Sequence, residues 1–196
     1  MVADTSAERC AIALFKDSRI IIEKEVTGSK GHSEIFFVLL EKVLAESKIN
    51  LNQITGFGVC TGPGNFTSLR VAIAAIRGLS LACGKPSVGV SAFDTLALDN
   101  GPCLVLIKGR GATFYGQEFL DGNQLSNPKF FTMDSIAKEK FSSDCKVIGY
   151  QSNKVCLKIG SRKAIPTTSI NLLRLAQISK ERIAQNSPRP TPLYIQ

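Results

Sequence analysis

The stretch GPGNFTSLR at residues 62–70 decides the fold of this chain, because it lies between a strand pattern and a helix pattern. Residues 55–60 (TGFGVC) are typical of a short buried strand, and residues 69–83 carry apolar side chains at the spacing of one helix face. Two glycines on either side of a proline permit positive φ, and Asn65 or Thr67 is placed to cap the first N–H groups of the helix. The sequence therefore predicts a glycine loop that ends a strand and begins a helix.

The amino-acid sequence of this loop does not match the motifs of the common nucleotide-binding loops. A Walker loop ends in Gly-Lys-Ser or Gly-Lys-Thr, and no lysine follows Gly62 or Gly64. A dinucleotide fingerprint needs a third glycine three residues after the second, where this chain has Thr67. Two interpretations remain, an anion site at the helix N-terminus and a structural turn that sets the direction of the helix. We assign a structural role to the loop residues Gly62, Pro63, Gly64, Asn65 and Thr67.

Composition is that of a globular protein. The 196 residues are 44% hydrophobic and 20% charged, enough to bury the core of one large domain or of two small lobes. The sequence shows no signal-peptide pattern and no run that approaches the ~18 apolar residues of a membrane span, so we expect a cytoplasmic protein. Six cysteines form no Cys-x-x-Cys pair, which favours buried free thiols over a disulfide framework or a zinc site.

The net charge of +8 is unevenly distributed along the sequence. Residues 1–100 contain ten Lys/Arg and ten Asp/Glu, whereas residues 101–196 contain fourteen and six. Such asymmetry can mark a surface that faces nucleic acid, although scattered surface lysines that favour solubility are the alternative. The nearest approach to a basic cluster consists of Lys154, Lys158, Arg162 and Lys163, without interleaved aromatic residues.

Two halves of the chain show the same order of predicted elements, strands first and then alternating helices and strands. The first half has a hairpin over residues 10–26, a helix over 32–47, and the strand and helix around the glycine loop, with that helix ending at Gly84. A strand over 87–90 follows, and a further helix begins at Ser91, with Asp94 as its capping-box partner. The second half has strands near 104–107, 112–119 and 145–149 and helices near 134–141 and 169–184. The pattern predicts an α/β class with mixed sheets, divided at residue 100 into lobes 1–100 and 101–196.

Residues 62–70, the small-residue helix that follows and residues 84–97 (GKPSVGVSAFDTLA) closely resemble the TsaB (YeaZ) family. Proteins of this family take part in making threonylcarbamoyladenosine in tRNA. Weaker parts of the resemblance lie at residues 4–6 (DTS), 32–34 (HSE) and 192–195 (PLYI). The resemblance implies an actin-like sugar-kinase/Hsp70 fold (ASKHA, ribonuclease H-like) with a reduced second lobe.

The resemblance implies no catalytic residue and no metal site in this chain. Metal-binding TsaD relatives use a His-x-x-x-His pair, but the only histidine here is His32, and position 36 is Phe36. An older description of such proteins as glycoproteases therefore finds no support. Two departures from the family pattern are Ser68, where a second glycine is usual, and Lys108, where an acidic residue is usual.

Residues Asp4, Thr5 and Ser6 correspond to a loop that contacts phosphate and Mg²⁺ in active members of the wider fold. The triplet lacks the glycine that lets a phosphate approach the backbone, so we expect a vestigial loop that closes a turn. The alternative function is an ATP-dependent phosphotransferase or ATPase of the same superfold.

The family resemblance implies a partner surface on the helices over residues 32–47 and 69–83. The expected partners are a TsaD-type protein, a TsaE-type ATPase that engages the assembled pair, or a second copy of this chain, with ATP and metal held by the partner proteins and no membrane involved. Candidate contact residues are His32, Phe36, Leu40, Arg70, Ala74 and Arg77. We expect the interaction of this chain with tRNA to be either indirect or made through Lys154, Lys158, Arg162 and Lys163.

Overall fold

The computed structural model describes residues 1–28, 32–161, 163–167 and 169–195, without the side chains of His32 and Ser33. The chain forms two compact units. The first consists of Met1–Thr95 together with Ile170–Leu193, and the second consists of Leu96–Ser169 together with the residues from Tyr194 onward.

The first unit contains a five-stranded sheet in the order β3-β2-β1-β4-β5. Its strands are β1 (Val2–Asp4), β2 (Arg9–Lys16), β3 (Arg19–Thr27), β4 (Phe57–Cys60) and β5 (Ser87–Val90). The first three strands pair antiparallel, and β4 and β5 extend the sheet in parallel with β1. Parallel neighbours need crossover connections, and helices supply them.

The helices of the described chain are α1 (His32–Ser47), α2 (Phe66–Cys83), α3 (Ala92–Leu96), α4 (Met133–Ile136), α5 (Ser152–Ile159) and α6 (Leu172–Ala184). In the first unit α1 and α2 cover one face of the sheet, and α6 covers the other. Alternation along β4 shows this arrangement, because Phe57 and Val59 join the core formed with α1 and α2. A side chain on Gly58, between them, would overlap the hydroxyl of Ser179 on α6.

The second unit contains a sheet in the order β11-β10-β6-β7-β8, in which β9 also pairs with β7. Its strands are β6 (Pro102–Lys108), β7 (Phe114–Leu120), β8 (Asn123–Gln124), β9 (Lys129–Phe131), β10 (Lys146–Gly149) and β11 (Lys163–Ile165). An antiparallel pair, β6 and β7, is again extended by two parallel strands, β10 and β11. The predicted α/β class with mixed sheets and a repeated order of elements is confirmed.

Local signals at the helix ends are confirmed. The side chain of Asn65 accepts a hydrogen bond from the backbone N–H of Ser68 at 3.1 Å and caps α2. At the other end of α2, Gly84 adopts φ 61° and closes the helix. Ser91 and Asp94 form a reciprocal capping box at the start of α3, with bonds of 3.1 and 3.3 Å.

The sequence pattern does not predict several short elements of the second unit. The strands β8, β9 and β11 and the helix α5 are not predicted, and the helix expected near residues 134–141 is only the four-residue α4. The strands β8, β9 and β11 contain only two or three residues, too few to show a clear period. Each pairs with a longer strand, β8 and β9 with β7 and β11 with β10.

The predicted lobe 101–196 is corrected at its C-terminal part. Helix α6 packs on β4, β5 and β1, so residues 170–193 belong to the first unit, and the division falls after Thr95. The apolar face of α6 is buried on that sheet through Leu172, Leu175, Ala176 and Ile178. Amphipathic periodicity identified this helix correctly, but periodicity does not say which sheet a helix covers.

Because residues 170–193 belong to the first unit, the excess of positive charge is not concentrated in the second unit. The first unit contains 14 Lys/Arg and 10 Asp/Glu, and the second contains 10 and 6, so each has a net charge of +4. A contact with nucleic acid must therefore rest on a local group of basic residues in this protein.

Helix α2 is long and apolar enough, by length and composition, to cross a membrane. Its Leu69, Ile73 and Ile76 are nevertheless buried on the sheet, and its opposite face exposes Arg70 and Arg77. We therefore describe α2 as a core helix of the first unit.

Replacing Gly58 tests the position of α6. The variant Gly58→Ala should lower the free energy of unfolding by about 1–3 kcal/mol, because the added methyl overlaps Ser179. The double variant Gly58→Ala/Ser179→Gly should recover part of the loss in urea denaturation. Gly78→Ala is the control, since its added methyl meets no atom within 4 Å and should stabilise α2 by about 0.5–1 kcal/mol. Equal losses in the single and double variants would contradict the packing.

Candidate functional site

The glycine loop between β4 and α2 contacts the turn after β1 directly. The backbone N–H of Asn65 donates to the carbonyl oxygen of Ser6 at 3.0 Å. Gly64 must remain a glycine at this approach, because a Cβ would overlap the backbone of Ser6. Gly62 adopts φ 97°, and its carbonyl accepts the N–H of Ala92 at 2.7 Å. These bonds support the structural interpretation of the loop.

Residues Asp4, Thr5 and Ser6 form a closed turn beside this loop, and all three are buried. The backbone N–H of Ser6 donates to Asp4 Oδ1 at 2.9 Å, and Thr5 Oγ1 donates to the carbonyl of Ser68 at 2.9 Å. The turn expected from the sequence is therefore present. The side-chain oxygens of Asp4 and Thr5 thus form hydrogen bonds with backbone groups of the same chain.

A buried arginine neutralises Asp4. Arg9 Nε lies 3.2 Å from Asp4 Oδ2, Nη1 lies 2.8 Å from Glu25 Oε2, and Nη2 donates to the carbonyl of Ile170 at 2.8 Å. The three nitrogens thus join the end of β1, the strand β3 and the segment that leads into α6. The carboxylate of Asp4 is thus held in an internal ion pair.

Two cysteines near Asp4 are poor nucleophiles. Burial, together with the negative charge of Asp4, raises the pKa of the Cys60 thiol far above its ordinary value. The same two causes, burial first, raise the pKa of Cys10 to about 11. Both side chains remain neutral thiols at neutral pH, which suits a packing role.

The outer face of α2 is exposed along its whole length. It presents Phe66, Arg70, Ala74, Arg77 and Leu81, which recur at the spacing of one helix face. The guanidinium of Arg70 lies 3.7 Å from the centre of the Phe66 ring. An open groove of about 410 Å³ runs beside this face and is lined by Arg70, Ile73, Ala74, Arg77 and Pro192.

On α1 the predicted contact residues Phe36 and Leu40 are wrong, because they are 0% and 6% exposed and belong to the core. The exposed face carries Phe37 and Val38 instead, each 50% exposed. The apolar stripe of α1 is wide, and the sequence does not show which edge of it faces the sheet. His32 begins α1, but its side chain lies outside the described residues.

Helices α1 and α2 pack side by side on one face of the sheet, so their exposed faces form one two-helix surface. Glu34 and Glu41 flank the apolar pair of α1 and are also exposed. This two-helix surface consists of Glu34, Phe37, Val38, Glu41, Phe66, Arg70, Ala74, Arg77 and Leu81. It combines exposed apolar side chains with charges of both signs.

The basic residues proposed from the sequence do not lie on one face. Lys154 and Lys158 are exposed one turn apart on α5. Lys163 lies in β11, where the adjacent Ala164 faces the core that α5 covers, so Lys163 points to the opposite face of the sheet. Arg162 lies outside the described residues. Only Lys154 and Lys158 remain as a pair.

The loop after β6 is a closed hairpin turn. The N–H of Gly109 donates to the carbonyl of Thr113 at 3.1 Å, and Thr113 Oγ1 donates to the carbonyl of Arg110 at 2.7 Å. Within the part of the chain that the structure describes, no three His, Cys, Asp or Glu residues are grouped so that they could hold a metal ion.

A family model described as "TsaD: tRNA N6-adenosine threonylcarbamoyltransferase" matches residues 23–179. The chain is 28% identical over 131 residues to the tRNA threonylcarbamoyladenosine biosynthesis protein TsaB of Buchnera aphidicola subsp. Schizaphis graminum, covering 64% of this chain and 62% of the relative. It is 30% identical over 97 residues to TsaB of Escherichia coli K12, covering 50% and 42%. The matches thus span less than two thirds of each of these curated relatives, whose names are not those of enzymes.

Among solved structures, the chain is similar to a protein from Pseudomonas aeruginosa described as having similarity to peptidase YEAZ. The TM-score is 0.81 at 18% identity, and the match covers 100% of this chain and 98% of the other. At this identity the likeness concerns the fold alone. It confirms the expected α/β fold of the YeaZ type.

Substitution of Arg9 tests the internal ion pair. Arg9→Met should lower the free energy of unfolding by about 3–5 kcal/mol, because it leaves the buried Asp4 carboxylate without its partner. Asp4→Asn/Arg9→Met should lose less than Arg9→Met alone in chemical denaturation. The control is Lys24→Met, which breaks the exposed 2.7 Å pair with Glu46 and should change stability by at most about 1 kcal/mol. A similar small loss in Arg9→Met would show that the buried network is unimportant.

Proposed function

Because this chain belongs to the TsaD family of tRNA N6-adenosine threonylcarbamoyltransferases and is of its TsaB (YeaZ) type, we propose that it acts in tRNA threonylcarbamoyladenosine biosynthesis. Its role is that of a non-catalytic partner in the cytoplasm, which binds a TsaD-type protein and stabilises its active form. The observation that carries this proposal is the two-helix surface, which exposes four large apolar side chains on a folded unit.

The charges of the two-helix surface specify a complementary partner. Arg70 and Arg77 are seven residues apart on α2, and both are exposed beside the small Ala74. Seven residues of helix span about 10 Å, so a partner helix with two carboxylates at the same spacing can meet both guanidinium groups. Ala74 lets the helix backbones approach closely between the two charged pairs.

Stabilising a partner requires tighter binding to one of its conformations than to the others. The rigid sheet beneath α1 and α2 holds the two-helix surface in place, and the glycine loop fixes the start of α2 through Ser6. The turn at Asp4 is bonded to Arg9 and to its own backbone. We therefore assign ATP and the catalytic metal to the partner proteins, a TsaD-type transferase and a TsaE-type ATPase that engages the pair.

We propose that a second copy of this chain competes with the TsaD-type protein for the two-helix surface. Glu34 and Glu41 on α1 have the same seven-residue spacing as Arg70 and Arg77 on α2. Helix α1 of one copy can therefore offer two carboxylates to α2 of another. The isolated protein is then a dimer that dissociates when the TsaD-type protein binds.

Charge reversal tests the docking proposal. The double variant Arg70→Glu/Arg77→Glu, co-expressed with the TsaD-type protein of the same organism, should bind it at least about tenfold more weakly, because two attractive pairs become repulsive. Formation of threonylcarbamoyladenosine in a tRNA-modification assay should fall in parallel.

Arg19→Glu is the matched control, since it reverses an exposed charge in the hairpin of β2 and β3 away from the two-helix surface. It should retain wild-type binding and modification. Unchanged binding by the double variant would refute docking on this surface. ATP turnover by the isolated chain would instead support the alternative of an ATPase of the same superfold.

A further inference from the structure

The C-terminal segment of the first unit, residues 190–193, is fastened to the sheet beside α2. The backbone N–H of Leu193 donates to the carbonyl oxygen of Thr61 at 2.9 Å, directly after β4. Pro190 is buried, and a Cβ built on Gly89 of β5 would lie 3.3 Å from its Cα atom. The segment is therefore held at two points, over β5 and at the end of β4.

Helix α2 lies between α1 and this segment. Helix α1 packs on β2 and β3, and α2 packs mainly on β4 and β1. Strand β5 is next to β4 on the side away from β1. Gly89 of β5 is paired with Val59, which belongs to the core under α1 and α2, so Pro190 packs on the same face of the sheet as α2. The segment thus flanks α2 on the side opposite to α1.

The open groove of about 410 Å³ lies between α2 and this segment, because Pro192 lines it opposite the residues of α2. Arg70, Ala74 and Arg77 of the two-helix surface line it from the helix, and the buried Ile73 lies beneath them. The groove therefore combines an apolar lining with two guanidinium groups that are two helical turns apart.

The charge on both sides of the groove is positive. Neither α2 nor residues 185–193 contain an Asp or a Glu. Arg189, which is exposed in the C-terminal segment, adds a third cation to Arg70 and Arg77. A row of carboxylates is complementary to this groove, whereas a row of basic side chains would be repelled.

We propose that residues 190–193 are a third element of the docking surface, and that the groove between them and α2 seats an acidic helix of the TsaD-type protein. This inference rests on the proposed function, which places that protein on α1 and α2. Two carboxylates seven residues apart on the docked helix meet Arg70 and Arg77, and apolar side chains between them pack on Ala74 and Pro192. Prolines already restrict the segment before the partner arrives, so little conformational entropy is lost when it binds.

A charge series at position 192 tests the proposal. The full chain carrying Pro192→Glu, Pro192→Gln or Pro192→Lys is titrated with the purified TsaD-type protein of the same organism by isothermal titration calorimetry at low salt. Pro192→Glu should bind about fivefold more weakly than Pro192→Gln, because its carboxylate repels the acidic helix and pairs with the arginines of the groove. Pro192→Lys should bind at least as tightly as Pro192→Gln. Loss of the proline ring, or misfolding, would instead weaken all three variants alike.

Ser143→Glu is the control for net charge, since it adds one carboxylate at an exposed position of the second unit, and it should retain wild-type affinity. Equal affinities across the series at position 192 would overturn the proposal. The reverse order would also overturn it, because it would indicate a basic occupant. A series that changes affinity for an unmodified tRNA transcript, but not for the TsaD-type protein, would show that the groove faces RNA and would overturn it as well.

A second pair of variants tests whether the segment must be fastened. Leu193→Pro removes the N–H that donates to Thr61, and it should weaken binding of the TsaD-type protein about fivefold because the wall of the groove is released. Leu193→Ala retains that N–H and should bind within about twofold of wild type. Wild-type affinity in Leu193→Pro would contradict a contact with residues 190–193.

This inference and the docking proposal fail in distinguishable ways. If Arg70→Glu/Arg77→Glu loses the TsaD-type protein while the variants at positions 192 and 193 bind it like wild type, the partner docks on α1 and α2 without the C-terminal segment. If Arg70→Glu/Arg77→Glu retains wild-type binding, the docking proposal itself is refuted.

Discussion

The buried guanidinium of Arg9 is the interaction on which the first unit depends. Its three nitrogens bind Asp4, Glu25 and the carbonyl of Ile170, so it joins β1, β3 and the segment that leads into α6. A buried carboxylate without a partner is costly, and the arginine offsets that cost within the chain. The bond to Ile170 also fixes where the chain returns to the first sheet, which allows α6 to cover its open face.

This constraint has a functional consequence. The end of the first strand is bonded to the chain's own arginine and glycine loop. Gly64 lies against Ser6, and Asn65 both caps α2 and donates to the Ser6 carbonyl. The loop directs α2 across the sheet, and the outer faces of α1 and α2 remain exposed, where we propose that the partner binds.

Sequence alone determined the glycine loop, the ends of α2 and α3, and the repeated α/β order, because caps, turns and periodicity depend on residues close together in the chain. Arg70, Ala74 and Arg77 are exposed on α2 as the family resemblance implies, and their contact with a partner stays a prediction. Only the tertiary structure decided that Phe36 and Leu40 face the core and that α6 joins the first sheet. Those outcomes depend on which surfaces pack together, and residues far apart in sequence meet only when the sheets form.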